Sequence, residues 1–177
     1  MDDAMVPFGH LVGVACGGVE AYSNNSPKHV SHEWNYVNGF PTGLKWQCVE
    51  FVRRWLVLRR GLLLPPIEIA ADLWNLSSVL RLEDMTDCPL STFRNGSEAR
   101  PVVGDILVYD KRFRNTGHIA IVTAVDHVAG SLAIAEQNHH NTMWEQNYAR
   151  TIPFVHEGNN VTLEDGSFLR GWKRPRA

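Results

Sequence analysis

At Pro101 the chain changes character, and that change limits the fold more than any other feature. Val102-Val103-Gly104-Asp105-Ile106-Leu107-Val108-Tyr109, Gly117-His118-Ile119-Ala120-Ile121-Val122-Thr123-Ala124-Val125 and Ser131-Leu132-Ala133-Ile134-Ala135-Glu136-Gln137-Asn138 are apolar, β-branched runs of strand length. Lys111–Thr116 is a polar break and His127–Gly130 a turn, so the runs read as antiparallel neighbours. Arg150–Val155 and Gly166–Trp172 are two further candidates. Helical periodicity occurs only before Pro101. Helices first and an antiparallel sheet afterwards predict an α+β domain.

The strongest helical signal surrounds a cysteine. At about 100° per residue, Cys48, Phe51, Val52, Trp55, Leu56 and Leu58 share one broad face, while Glu50, Arg53, Arg54 and Arg60 fall on the other. The apolar face is expected on a core and the charged face in solvent. Gly43 supplies a turn before the segment, and Gly61 after Arg59-Arg60 has the placing of a helix stop with basic residues in the last turn. Cys48 therefore falls in the first turn, where unpaired N–H groups and the positive dipole end favour thiolate over thiol.

The remaining segments are read more coarsely. Residues 1–44 are rich in turn formers, with short strands His10–Ala15 and Val19–Tyr22 joined through Gly17-Gly18. A second helix is expected from Ile67 to Leu80 after Pro65-Pro66, with Ile69, Leu73, Leu76 and Leu80 on its inner face. Residues 81–100 read as an irregular connection in which Cys88 is a bystander. His29 and His32 lack the companions of a metal site and read as loop residues, so no metal is assigned.

A nucleophilic thiol needs a base, and the base needs an acceptor that fixes its tautomer. His118 opens an apolar strand where a polar ring is otherwise costly, whereas His10, His29, His32, His127, His139, His140 and His156 fall in turns or at strand ends and are expected to be solvated. If the strands holding His118 and Glu136 pair through the turn at 127–130, His118 lies across from residues 136–139, within reach of Glu136. Glu136 is itself a charge in an apolar strand and should be paired. Gln47 is placed to donate to an oxyanion together with the Cys48 N–H.

With 177 residues, 44% of them hydrophobic, the chain suits one domain with a substantial core. A net charge of −2, from 17 basic and 19 acidic residues, gives no footprint for nucleic acid or an anionic membrane. Three cysteines without close pairing, and a Met1-Asp2-Asp3 start unlike a secretory signal, lead to the expectation of a reducing, cytoplasmic setting. No run approaches the ~20 apolar residues of a membrane-spanning helix.

Several blocks together resemble a known family. Lys45-Trp46-Gln47-Cys48-Val49-Glu50-Phe51, Arg53-Arg54, Pro101-Val102, Gly117-His118, Ile134-Ala135-Glu136-Gln137-Asn138 and Gly171-Trp172, with Gly13–Ser23 before them, are similar to the CHAP-type amidase domain of the glutathionylspermidine and trypanothione synthetase/amidases. The resemblance covers nearly the whole chain. It implies a papain-like (NlpC/P60-related) fold and hydrolysis of the amide between a glutathione glycine and a polyamine amine. It also implies Cys48 as nucleophile, His118 as base, Glu136 as its acid and Gln47 as oxyanion donor, with Arg53 and Asn138 in the substrate site. Arg53 is the weakest transfer, since it lies about 140° around the helix from Cys48.

The named family members carry a second, ATP-grasp domain, for which residues after Trp172 leave no room. A single amidase domain over 1–177, either stand-alone or excised from a longer protein and needing no cofactor, ATP or magnesium, is the expectation. Two rivals stand beside it. One is a peptidoglycan-cleaving CHAP amidase or endopeptidase, and the other a catalytically silent module that binds such conjugates. The oligomeric state is not legible.

Overall fold

The computed structural model describes residues 5–176; the expectation drawn from Met1-Asp2-Asp3 lies outside the described residues. Strands β1 (Leu11–Ala15) and β2 (Val19–Tyr22) form one antiparallel ribbon, and β3 (Trp34–Val37) and β4 (Phe40–Leu44) a second. Helix α1 (Cys48–Arg60) follows, then β5 (Leu62–Leu63), a 3-10 turn at Ala70–Asn75, β6 (Ser78–Arg81) and β7 (Asp87–Arg94). The remainder of the chain supplies β8 (Ile106–Tyr109), β9 (His118–Asp126), β10 (Ser131–Ala135), β11 (Arg150–Glu157), β12 (Asn160–Leu163) and β13 (Leu169–Pro175).

Nine strands make one antiparallel sheet in the order β12-β11-β10-β9-β8-β13-β7-β6-β5. Its two faces bury different halves of each strand. Ile106, Val108, Ile119, Ile121 and Ala135 pack against Phe51, Val52, Trp55 and Leu56 of α1. Leu107, Ala120, Val122, Leu132 and Ile134 turn the other way and meet Ile152, Phe154, Val161 and Trp172. Burial on both faces explains why the β8–β10 segments read as continuous apolar runs.

The sheet curls around this second core. Asn95 exchanges hydrogen bonds with the Leu163 backbone, and the Gly96 N–H donates to the Val161 carbonyl, so the chain after β7 returns to β12. The result is a barrel-like wrap with α1 outside it.

Helix α1 begins at Cys48 and ends as expected, with Gly61 at φ 60° and its N–H donating to the Leu56 carbonyl. Its outer face is solvated only at the C-terminal end, where Arg60 is exposed as expected. Glu50, Arg53 and Arg54 are buried, because both N-terminal ribbons pack over that side, while Leu58 is exposed. The Glu50 carboxylate accepts from Asn35 (2.9 Å), Thr42 (3.0 Å), Arg54 (2.8 and 3.0 Å) and Gln137 (3.0 Å). A buried charge so completely partnered is retained where an unpaired one would not be. The charged stripe marks a polar seam between helix and ribbons.

Two other expectations fail. Residues Ile67–Leu80 do not form a helix; only the 3-10 turn is helical, Leu76 is extended, and Val79 is buried as part of β6. Short apolar segments at i, i+4 spacing fit either state, and pairing with β5 and β7 decides this one. Residues 81–100 contain the eight-residue strand β7, which buries Cys88 and Leu90 and exposes Pro89. The α+β class thus holds with a single α-helix among the described residues rather than several, and with more sheet than the periodicity suggested.

Candidate functional site

Cys48 is the first residue of α1, and its sulfur lies near enough to the His118 ring and to the Val49 and Ile119 N–H groups for each to favour the thiolate. His118 begins β9 and pairs in register with Tyr109. Gly117, just before it, has φ +75°, and an added Cβ would fall 2.6 Å from the Tyr109 carbonyl oxygen. Only glycine allows the chain to enter β9 so close to β8.

Pairing of β9 with β10 sets Ala135 opposite Ile121. Counting on, Glu136 projects to the same side as His118, two positions along. Its Oε2 lies 2.8 Å from His118 Nε2, which leaves Nδ1 as the nitrogen that meets the thiol. Cys48, His118 and Glu136, drawn together from sequence, are therefore adjacent and buried.

The electrostatics favour charge separation. Burial raises the thiol, but the neighbouring imidazolium and its hydrogen bond outweigh burial and hold Cys48 below its ordinary value of 9.0. Burial works against the imidazolium too, yet the Cys48 thiolate and then Glu136 push His118 up to about 9. Against burial, the hydrogen bond and charge of His118, with His139 and Arg150, keep the Glu136 carboxyl well below the usual carboxylate range.

Gln47 precedes α1 with extended backbone. Its Nε2 donates to the His29 carbonyl at 3.1 Å, and its Oε1 accepts from Asn138 Nδ2 at 2.9 Å, so the amide is fixed beside Cys48 with one N–H to spare. Asn138, at φ 58°, thus orients Gln47 and also lines the cleft. Arg53 is not a solvated helix charge. It is 7% exposed and donates to the carbonyls of Leu64 (2.9 Å), Thr42 (2.9 Å) and Pro65 (3.0 Å), tying α1 to β4 and to the segment after β5.

The cleft extends to both sides of Cys48. One lobe, about 320 Å³, is lined by Trp34, Leu44, Ile67 and Ile69, with Arg53 and Glu68. The other, about 530 Å³, is lined by Lys28, Arg114, Asn115, Thr116, His118 and Asn138, and by no carboxylate. Arg114 is pinned there by the carbonyls of Asn138 and His139, both at 3.0 Å.

Several contributors escaped the sequence reading. Arg150 grips Glu136 from behind, and Gln137 ties the same stretch to Glu50, Arg54 and the Gln47 carbonyl. His139 is not a solvated turn residue. It stacks on Phe113 (5.8 Å, 7°), and burial, with no compensating partner on Nδ1, lowers it to about 3. Inward alternation of Arg150 with Ile152 and Phe154 was the one signal that could have found Arg150.

Comparison with known proteins shows the family. The chain is 36% identical to the trypanothione synthetase of Crithidia fasciculata over 163 residues, covering 90% of this chain and 24% of that protein. It is 34% identical to the bifunctional glutathionylspermidine synthetase/amidase of Escherichia coli (strain K12) over 180 aligned positions, covering 94% of this chain and 29% of that protein. To the glutathionylspermidine synthase of Crithidia fasciculata it is 31% identical over 194 aligned positions, with 96% and 26% covered. The chain thus spans about a quarter of the length of these curated relatives. The CHAP domain matches residues 36–138, which hold Cys48, His118, Glu136 and the segments that carry them. On the strength of that match, across more than half of its length, the chain belongs to the CHAP domain family, whose members are papain-like.

Proposed function

We propose that this chain is a thiol amidase acting on the glycyl–polyamine amide of glutathionylspermidine- or trypanothione-type conjugates, with residues 1–177 as one amidase unit. The observation that carries the reading is a thiol at a helix start, joined to a carboxylate-held imidazole on the floor of a two-lobed cleft. In this reading the Cys48 thiolate attacks the glycyl carbonyl. The spare Gln47 N–H and the Cys48 backbone N–H receive the oxyanion. His118 gives its proton to the departing amine, and then takes one from the water that hydrolyses the acyl-enzyme. Glu136 keeps the ring oriented and its charged form stable throughout.

The lobes suit a substrate with unlike ends. Such a conjugate carries a γ-glutamyl carboxylate at one end and ammonium groups along the polyamine. Lys28 and Arg114 complement the first; Trp34 and the exposed Glu68 complement the second. The relatives named for glutathionylspermidine and trypanothione support the same substrate class.

The test is release of glutathione and spermidine from glutathionylspermidine, run beside cell-wall peptide fragments. Wild type is expected to hydrolyse the conjugate, and Cys48→Ala to bind it without turnover. Substantial turnover by Cys48→Ala, or cleavage of the cell-wall fragments alone, overturns the proposal.

A further inference from the structure

Alternation along the strands places a row of polar side chains at one end of the barrel-like core. Tyr109 closes β8, His118 opens β9, Glu136 follows β10, Arg150 opens β11 and Asp165 follows β12. These elements are consecutive neighbours in the sheet, so the row runs in order and its charges alternate: imidazolium, carboxylate, guanidinium, carboxylate. Arg150 is the fork in the middle. Its Nε donates to Glu136 Oε1 at 2.7 Å, while its two terminal nitrogens donate to Asp165 at 2.7 and 2.9 Å. The Tyr109 hydroxyl closes the far side by donating to Asp165. Arg150 lines neither lobe around Cys48.

We propose that Arg150, seated on Asp165, is a positioning residue for the Cys48–His118 pair, acting through Glu136. A glutamate carboxyl rotates in a broad, roughly two-fold well, so burial alone does not hold either of its equivalent oxygens on the imidazole. Gripping the carboxylate from behind, closely at Oε1 (2.7 Å) and at longer range at Oε2 (3.4 Å), fixes that rotation and keeps Oε2 facing His118 Nε2 at 2.8 Å. The task calls for arginine: a planar fork holds two carboxylates in one geometry, whereas an ammonium acts as a point charge. Asp165 offsets the guanidinium charge, which would otherwise oppose the imidazolium across Glu136.

The inference rests on Cys48 and His118 being the reacting pair, but its test needs no substrate. Cys16 is exposed and free, so the alkylation rate of Cys48 by iodoacetamide is measured in a Cys16→Ser background. Arg150→Met is expected to slow alkylation at about pH 6 roughly tenfold, the rate equivalent of one charge-assisted hydrogen bond, and to move the acid limb of the profile upward. Arg150→Lys restores part of the rate, and Asp165→Asn, the milder change, shifts the profile in the same direction by a smaller factor. In a Glu136→Gln background, Arg150→Met slows the reaction no further. Wild-type alkylation by both Arg150→Lys and Asp165→Asn overturns the proposal, as does an equal slowing by Arg150→Met with and without Glu136. If the profile shifts as expected while wild type leaves glutathionylspermidine intact, the amidase reading falls and the role of Arg150 stands.

Discussion

Replacing Glu136 by glutamine keeps the shape of the site and removes its charge. The side chain is 3% exposed and meets His118 at 2.8 Å and Arg150 at 2.7 Å, and both partners arrive as donors. A glutamine offers one acceptor and one donor, so one of the two must face an N–H it cannot pair with. Each hydrogen bond to a charged group contributes about 1.5–3 kcal/mol, and breaking a buried pair costs about 3–5 kcal/mol. A loss of about 3–5 kcal/mol at neutral pH is therefore expected, seen as a fall in Tm of roughly 10 °C for a chain of this size. The Glu136 carboxyl lies well below its ordinary value of 4.5 in the folded protein, so its contribution is present above that value and is lost as pH falls. Between pH 4.5 and about pH 3 the wild type should lose about 2 kcal/mol from this group, at ~1.4 kcal/mol per unit, while Glu136→Gln loses none of it. Thermal or urea unfolding of both proteins across that range checks this. A gap below about 1 kcal/mol at neutral pH, or one that does not narrow in acid, would refute the reasoning.

Activity should be bounded by the two partners of the ion pair. Cys48 gains its proton below the ordinary thiol range and loses activity there, and His118 loses its proton near about 9, so kcat/KM should fall on the alkaline side near that value; a fall near 6.5 would contradict the pairing. Arg53→Met strands three backbone carbonyls and should cost about 2–4 kcal/mol of stability, read by unfolding; unchanged stability with a raised KM would instead make Arg53 a substrate residue. Gly117→Ala puts a Cβ 2.6 Å from the Tyr109 carbonyl oxygen and must displace the start of β9; kcat should drop roughly a hundredfold with KM little changed, and wild-type kcat would show that the entry to β9 can give way.

The residues legible from sequence are those whose chemistry clashes with their surroundings. A histidine opening an apolar strand and a glutamate ending another stood out because neither survives burial alone, and the hairpin turn at 127–130 brought them together. Burial of Glu50, Arg53 and Arg54 was not legible, because periodicity separates charged from apolar faces without saying what covers either. Two ribbons, β1–β2 and β3–β4, cover the charged one. Strand β7 hid behind Pro89, which sits at an exposed position of an otherwise alternating segment. Arg150 and Asp165 lie far apart in sequence from Cys48, and only the curl of the sheet makes them its neighbours at third hand.

Residues 136, 137 and 138 engage three different targets in turn: the imidazole, the foot of α1, and the Gln47 amide. Helix α1 is a local structure that can form early, but its cysteine depends on groups some seventy to ninety positions downstream, and such distant pairings are slow to close. A nascent or partly refolded chain would thus carry an ordinary, sluggish sulfhydryl. Heightened nucleophilicity would arrive last, so the labelling rate at Cys48 doubles as a clock for completion of the native state.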